Sequence, residues 1–117
     1  MTTPHKAIET VWRFSLNHAF SAPIPKGARS HLVHSHGSLS LRLYAPRGTD
    51  PQTPHEQDEV YVVARGSGWF VVGDSRVPFG PLDSLFVPAG VVHRFEDFTD
   101  DFATWVVFYG PKGGERG

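Results

Sequence analysis

The stretch Glu59–Gly73, EVYVVARGSGWFVVG, decides the fold of this chain. Two runs rich in strand-forming residues, 59–65 and 69–73, flank the turn sequence GSG, so the stretch predicts two β-strands joined by a tight turn. Successive positions in each run are apolar, which means that both faces of each strand must be covered. The stretch therefore predicts an all-β domain.

Short runs of the same kind recur on both sides of this stretch. They lie at 30–36, 38–45, 77–80, 83–88, 91–97 and 102–110. The first two runs flank His36-Gly37 and predict a hairpin, and leucines at 39, 41 and 43 alternate with polar residues in its second strand. Eight or nine strands, with turn signals about every 8–12 residues, are typical of a sandwich or barrel.

The segment before Gly27 has a different pattern. Apolar residues recur at three- and four-residue spacing and predict a short amphipathic helix over Lys6–Ala19; they are Ile8, Val11, Trp12 and Leu16. The prolines of SAPIPKG (21–27) then end the helix. The 117 residues thus predict one domain, with a helix-containing arm (1–27), a β-barrel (28–110) and a tail (111–117).

The composition excludes several classes of protein. The chain has no cysteine, which excludes disulfides and thiolate metal sites and fits a cytoplasmic location. Its net charge of −1 provides no basic surface for nucleic acid or an anionic membrane. No segment has the roughly 18 apolar residues of a membrane span, and the N-terminal region lacks the apolar core of a secretory signal.

Potential metal ligands cluster just before the strand at 59–65. If the strand already runs extended from residue 55, the side chains on one face are those of His55, Gln57, Glu59 and Tyr61. His93 begins another strand after the turn at 88–90. Two histidines and one carboxylate leave coordination positions open, as in non-heme iron sites. The alternatives are a solvated loop and a histidine buried for packing alone.

The spacing around Glu59 resembles the first motif of the cupin superfamily. Gly66 follows Glu59 after six intervening residues, as in that motif, and His55 falls on the motif's second histidine. The motif's first histidine is replaced by Thr53. The resemblance implies a divalent transition metal (Fe, Mn, Ni or Zn) held by His55, Glu59 and a histidine of the second motif. The fourth ligand is Gln52, which ranks first, or Thr53, Gln57 or water.

The second cupin motif is matched further along the chain. Pro88, Gly90 and His93 occupy its positions, and Asp97 stands where the family has asparagine. Leu82 replaces the motif's leading glycine, which we expect to change only the turn geometry. The resemblance spans about 39–109. It implies an all-β cupin fold, a double-stranded β-helix or jelly-roll barrel preceded by the short N-terminal helix, with His93 as the third metal ligand.

The resemblance also implies a function. We expect a metal-dependent enzyme, dioxygenase-like or isomerase- or lyase-like, acting on a small oxygen-rich organic molecule, with Tyr61 as the candidate catalytic residue. The alternative is a non-catalytic small-molecule-binding or sensor cupin whose metal site has degenerated. Arg42 and Tyr44 alternate away from the leucines of their strand, either to recognise an anionic substrate or, as is favoured for Arg42, to face solvent.

Strand faces that the helix does not cover predict a second subunit, so we expect a homodimer and no nucleic-acid or membrane partner. Three further histidines, His31, His34 and His36, lie on the first predicted hairpin. His34 and His36 share a face and mimic a His-x-His pair, although exposed turn positions are the favoured interpretation.

Overall fold

A computed structural model describes residues 12–117 of the protein, which consist mainly of β-strands. The helix α1 spans Leu16–Ser21. The strands are β1 (His31–His36), β2 (Leu39–Tyr44), β3 (Asp58–Arg65), β4 (Gly68–Val72), β5 (Ser75–Phe79), β6 (Ser84–Val87), β7 (His93–Glu96) and β8 (Ala103–Tyr109). Within the described residues, no helix has the length and apolar character that crossing a membrane requires.

The strands form two antiparallel sheets around an aromatic core. One sheet has five strands in the order β1-β2-β8-β3-β6, and the other has three in the order β5-β4-β7. Side chains from both sheets meet in the core, which includes Tyr61, Phe70, Phe95 and Phe102. The predicted all-β, jelly-roll class of fold is confirmed.

Strand pairing in the five-stranded sheet sets side chains of β3, β8 and β2 into rows. The first row consists of Glu59, Phe108 and Ser40, and the second of Tyr61, Val106 and Arg42. Side chains alternate between the two faces of a strand, and Glu59 and Tyr61 are each 1% exposed, so both rows face the inside of the barrel. The polar positions of β2 therefore point toward the same interior as Glu59.

The leucines of β2 lie on the outer side of the sheet. Leu43 is fully buried in a cluster with Ala19 of α1 and Ala103 of β8. The helix thus covers the leucine side of β2 at Leu43, while the polar side of the strand faces a cavity.

The predicted helix over Lys6–Ala19 is interrupted at residues 13–15 and is confirmed at 16–19, while residues 6–11 lie outside the described part of the chain. Residues 13–15 are not helical, and α1 begins only after Ser15. The Ser15 hydroxyl accepts a hydrogen bond from the His18 backbone N–H at 3.1 Å, which makes Ser15 the N-cap of a new helix. The predicted break after α1 is confirmed.

Leu82 has a backbone conformation that favours glycine. Its φ is +70°, its side chain is 79% exposed, and its backbone N–H donates to the Val63 carbonyl at 2.8 Å. A left-handed conformation costs about 1–2 kcal/mol for a residue with a Cβ. The turn geometry is thus the one a glycine would adopt, and leucine adopts it at a cost in stability.

We predict that Leu82→Gly raises the free energy of unfolding by up to about 1 kcal/mol, because relief of the backbone strain exceeds the entropy gained by the unfolded chain. Urea denaturation of the wild type, Leu82→Gly and Leu82→Ala measures this. Alanine retains the penalty and is the control. Equal stabilisation by both variants would show that the exposed side chain, rather than the backbone, is responsible.

Candidate metal centre

His55, Glu59 and His93 converge inside the barrel, with one ligand atom of each within 4.8 Å of the others. His93 Nε2 lies 2.8 Å from Glu59 Oε1, and His55 Nε2 lies 4.0 Å from the same oxygen. Glu59 and His93 are buried, whereas the His55 side chain is 33% exposed. Two members of the cluster are therefore fixed in strands of opposite sheets, and the third lies at the cavity wall.

His55 reaches the cluster from a loop rather than from a strand. β3 begins at Asp58, so the predicted alternation from residue 55 to residue 61 does not hold. The His55 carbonyl accepts from the Gly90 N–H at 2.8 Å, and its ring packs edge-on against Phe108 at 4.9 Å. The Gln57 amide donates instead to the carbonyls of Ser38 and Gly110, at 2.8 and 2.9 Å, and so ties loops together.

The side-chain oxygen of Gln52 faces the three clustered groups. Gln52 Oε1 lies 3.2 Å from His55 Nε2 and 3.1 Å from His93 Nε2, and it accepts from the Tyr61 hydroxyl at 3.1 Å. Its amide nitrogen donates to Asp50 Oδ2 at 2.6 Å, and a carboxylate requires a donor, which fixes the direction of the amide. Gln52, ranked first among the candidate fourth ligands, thus lies beside the cluster, while Thr53 is exposed at the cavity wall.

Asp50 orients Gln52 and was missed from the sequence. Its buried carboxylate accepts from the Tyr44 hydroxyl, the Phe95 backbone N–H at 2.8 Å, and both the backbone and side-chain N–H groups of Gln52. The only local signal is an acidic residue two positions before Gln52 in a loop. Tyr44, considered above for anion recognition, instead has its hydroxyl bound to Asp50.

Four residues bring potential ligand atoms close together in this cluster. His93 Nδ1 lies 2.8 Å from the Val91 carbonyl, so Nδ1 carries a proton, and whenever the ring is neutral its Nε2 lone pair faces Glu59 and Gln52. Both carboxylate oxygens of Glu59 are buried without a well-aligned hydrogen bond from any described residue, despite the short approach of His93. Such an arrangement requires a cation, either a proton or a metal, among the lone pairs.

The pKa shifts follow from these contacts. Burial lowers the pKa of His93, but the Glu59 carboxylate and the Val91 carbonyl outweigh burial and raise it above the ordinary value. Burial lowers the pKa of His55, with a smaller opposing contribution from Glu59. Burial and Glu59 raise the pKa of Tyr61, so its hydroxyl stays protonated and is a hydrogen-bond donor at neutral pH.

A cavity of about 620 Å³ opens over the cluster and is lined by Glu59, Tyr61 and His55 together with the inner face of β2. Arg42 is half-buried on the cavity wall, so the expectation that it faces solvent is wrong. The three hairpin histidines lie elsewhere. His31 Nδ1 contacts the Ala22 carbonyl, His34 stacks on Phe14 and His36 is exposed.

Comparison with known proteins agrees with this architecture. The family model for the Cupin domain matches residues 40–109. An uncharacterised protein of Streptomyces coelicolor is 39% identical over 77 residues, which cover 64% of this chain and 73% of that protein. A cupin-2 domain containing protein from Shewanella frigidimarina has a similar crystal structure, with a TM-score of 0.64 at 16% identity, covering 88% of this chain and 98% of that one.

The chain belongs to the cupin family, as the resemblance of its motifs implied. The structure explains why the family motif has a glycine at the position of Gly66. Its φ is +88°, and a Cβ would lie 2.6 Å from Phe102 Cα. A shorter similarity links the chain to acireductone dioxygenase of Candida albicans, with 41% identity over 46 residues, which are 35% of this chain and 26% of that enzyme.

We predict that Glu59→Gln stabilises the metal-free protein by about 1–2 kcal/mol, because it removes a buried unpaired charge and adds a donor among the lone pairs. Urea denaturation with a chelator present measures this, at about pH 9, which is well above the ordinary pKa of histidine. Glu56→Gln is the control, since Glu56 is exposed and pairs with Lys112 only at 3.8 Å. A less stable Glu59→Gln protein would contradict the interpretation that the Glu59 carboxylate lies among lone pairs without a hydrogen-bond donor.

Proposed function

We propose that this chain is a metal-dependent cupin enzyme of the dioxygenase type, acting on a small molecule with adjacent oxygen atoms. The observation that carries the proposal is the convergence of lone pairs from His55, Glu59, His93 and Gln52 beside an open cavity. A proton satisfies such a cluster only in part, whereas a divalent metal accepts all four atoms at once.

The donor set fits a divalent transition metal, with Fe, Mn, Ni and Zn as the candidates. Imidazole nitrogens, one carboxylate and an amide oxygen are ligands that such ions accept, and they leave positions free for a substrate. When bound, the metal would polarise a substrate oxygen and, if redox-active, supply electrons for reaction with O₂. Asp50 would support the site by holding the Gln52 oxygen toward it.

The chain's own residues would orient the substrate and exclude water. Val106 and Phe108 form an apolar part of the cavity wall between Glu59 and the polar face of β2. Tyr61 is buried beside the cluster, and its hydroxyl would donate a hydrogen bond to a substrate oxygen in place of Gln52. We propose Tyr61 as a catalytic residue in this donor role.

The dioxygenase reaction is favoured over isomerase or lyase chemistry by the similarity to acireductone dioxygenase. A reductone carries an enediol beside a carbonyl, and adjacent oxygens of this kind suit neighbouring open positions on a metal. The same site would also serve an isomerase or lyase by stabilising an enolate. A non-catalytic binding protein would retain ligand affinity but show no turnover.

The experiment combines metal analysis with oxygen uptake. Purified protein is loaded with Fe²⁺, Mn²⁺, Ni²⁺ or Zn²⁺, and bound metal is measured by elemental analysis. We expect about one metal per chain, and at least a tenfold loss of affinity in His93→Ala. His36→Ala is the matched control, because His36 is an exposed histidine outside the site.

Oxygen uptake with reductones and catechols then distinguishes a dioxygenase from a non-catalytic binding protein. Consumption by the Fe²⁺- or Ni²⁺-loaded wild type, lost in His93→Ala and kept in His36→Ala, supports the enzyme. Stoichiometric metal with ligand binding but no product favours the binding protein. Metal uptake that is equal in His93→Ala and the wild type would refute the site itself.

We also propose that the protein forms a homodimer through the outer face of the five-stranded sheet. Leu41, Val107, Val60 and Phe86 are paired in sequence across four strands. Their neighbours Arg42, Val106 and Tyr61 face inward, so this apolar row faces outward, and Phe86 is 52% exposed. The cluster formed by α1 lies at Leu43 and leaves this row uncovered.

Light scattering is expected to give twice the 13.0 kDa mass of one chain. Phe86→Glu should produce monomers, because it places a charge in the apolar interface. Ile24→Glu is the control, since Ile24 is similarly exposed at 50% but lies in the loop after α1. Dissociation by Ile24→Glu but not by Phe86→Glu would place the interface elsewhere.

A further inference from the structure

Arg42 is a cation on the inner face of the barrel. It lies on β2 in the row that contains Val106 and Tyr61, and its half-buried side chain lines the cavity beside the metal centre. Burial lowers the pKa of Arg42, which reflects water removed from its guanidinium. A guanidinium in this position is costly unless an anion compensates for the lost water.

No carboxylate within residues 12–117 provides that compensation. The one hydrogen bond of the Arg42 side chain in this part of the chain is from Nη1 to the Ser30 hydroxyl at 3.3 Å. By contrast, Arg76 and Arg94 on the other sheet both pair with Glu96, at 3.0 and 2.7 Å. The more buried arginine is thus the one left without an anionic partner.

The surroundings of Arg42 also favour an anion. Arg29 and Lys112 line the same cavity, and Lys112 is the one that pairs with an acid, Glu56, at 3.8 Å. Ser40, next to Arg42 on the same face of β2, adds a hydroxyl to the wall. Arg42, with Arg29 close to Tyr44, therefore makes the β2 side of the cavity cationic, whereas Glu59 and the histidines form its lone-pair-rich side.

We propose that Arg42 binds the carboxylate of an organic acid whose hydroxyl or carbonyl oxygens occupy the metal centre. This inference rests on the proposed function and narrows its substrate to acids. β8 separates β2 from β3, so the two sides of the cavity are two strand spacings apart, about 10 Å between backbones. A small aromatic or short-chain acid, with adjacent oxygens at one end and a carboxylate at the other, spans the remaining gap.

Matched catechols test this directly. Protocatechuate carries a carboxylate opposite its two hydroxyls, and protocatechuamide replaces that carboxylate with a neutral group of similar shape. Calorimetry measures both ligands on metal-loaded and metal-free wild type, Arg42→Gln and Arg42→Lys, with Arg76→Gln as the control for total charge. We expect the wild type to prefer the acid by about tenfold or more, since a charge-assisted pair contributes at least that much.

Arg42→Gln should abolish the preference while amide binding changes less than about threefold, and Arg42→Lys should keep part of it. Arg76→Gln should retain the full preference. Equal affinity for acid and amide in the wild type, binding of neither ligand, or a preference that survives Arg42→Gln would overturn the role of Arg42. A preference that depends on Arg42 in protein that takes up no metal would support Arg42 and reject only the proposed metal-dependent function.

Discussion

The buried carboxylate of Asp50 determines how Gln52 is oriented in the candidate site. It binds Tyr44 of the five-stranded sheet, Phe95 of the three-stranded sheet and the loop residue Gln52. One buried side chain therefore joins both sheets to the loop that carries two of the proposed ligands. The amide of Gln52 turns its oxygen toward the histidines because its nitrogen is held by Asp50.

The strands were predictable because local patterns determine them. Apolar runs separated by glycine turns mark β3, β4 and β8 to within a residue or two. Their pairing does not follow from their order, because β3 and β4 are consecutive in the chain but lie in different sheets. The helix was predicted as one element because apolar spacing does not reveal a break. The pattern continues through Leu16, but residues 13–15 are not helical, and Ser15 caps the helix α1 by accepting the His18 N–H.

The site was predictable where its residues belong to a motif. The spacing of His55, Glu59 and His93 identifies them together, although His55 arrives from a loop and not from a strand face. Asp50 could not be identified from the sequence, because its partner Phe95 lies 45 residues away in the chain. Arg42 was misplaced because its strand alternates leucine with polar residues, and such a pattern does not tell whether the polar side meets bulk water or a ligand cavity.

The position of His55 and Gln52 on the single connection between β2 and β3 has a kinetic consequence. Glu59 and His93 lie in strands and are held by sheet hydrogen bonds, whereas the other two donors lie on one loop. That loop is anchored at the His55 carbonyl by the Gly90 N–H, in the turn that precedes His93. Capture and release of a cation would thus follow the opening of this one connection, on the timescale of a local loop fluctuation rather than of barrel unfolding.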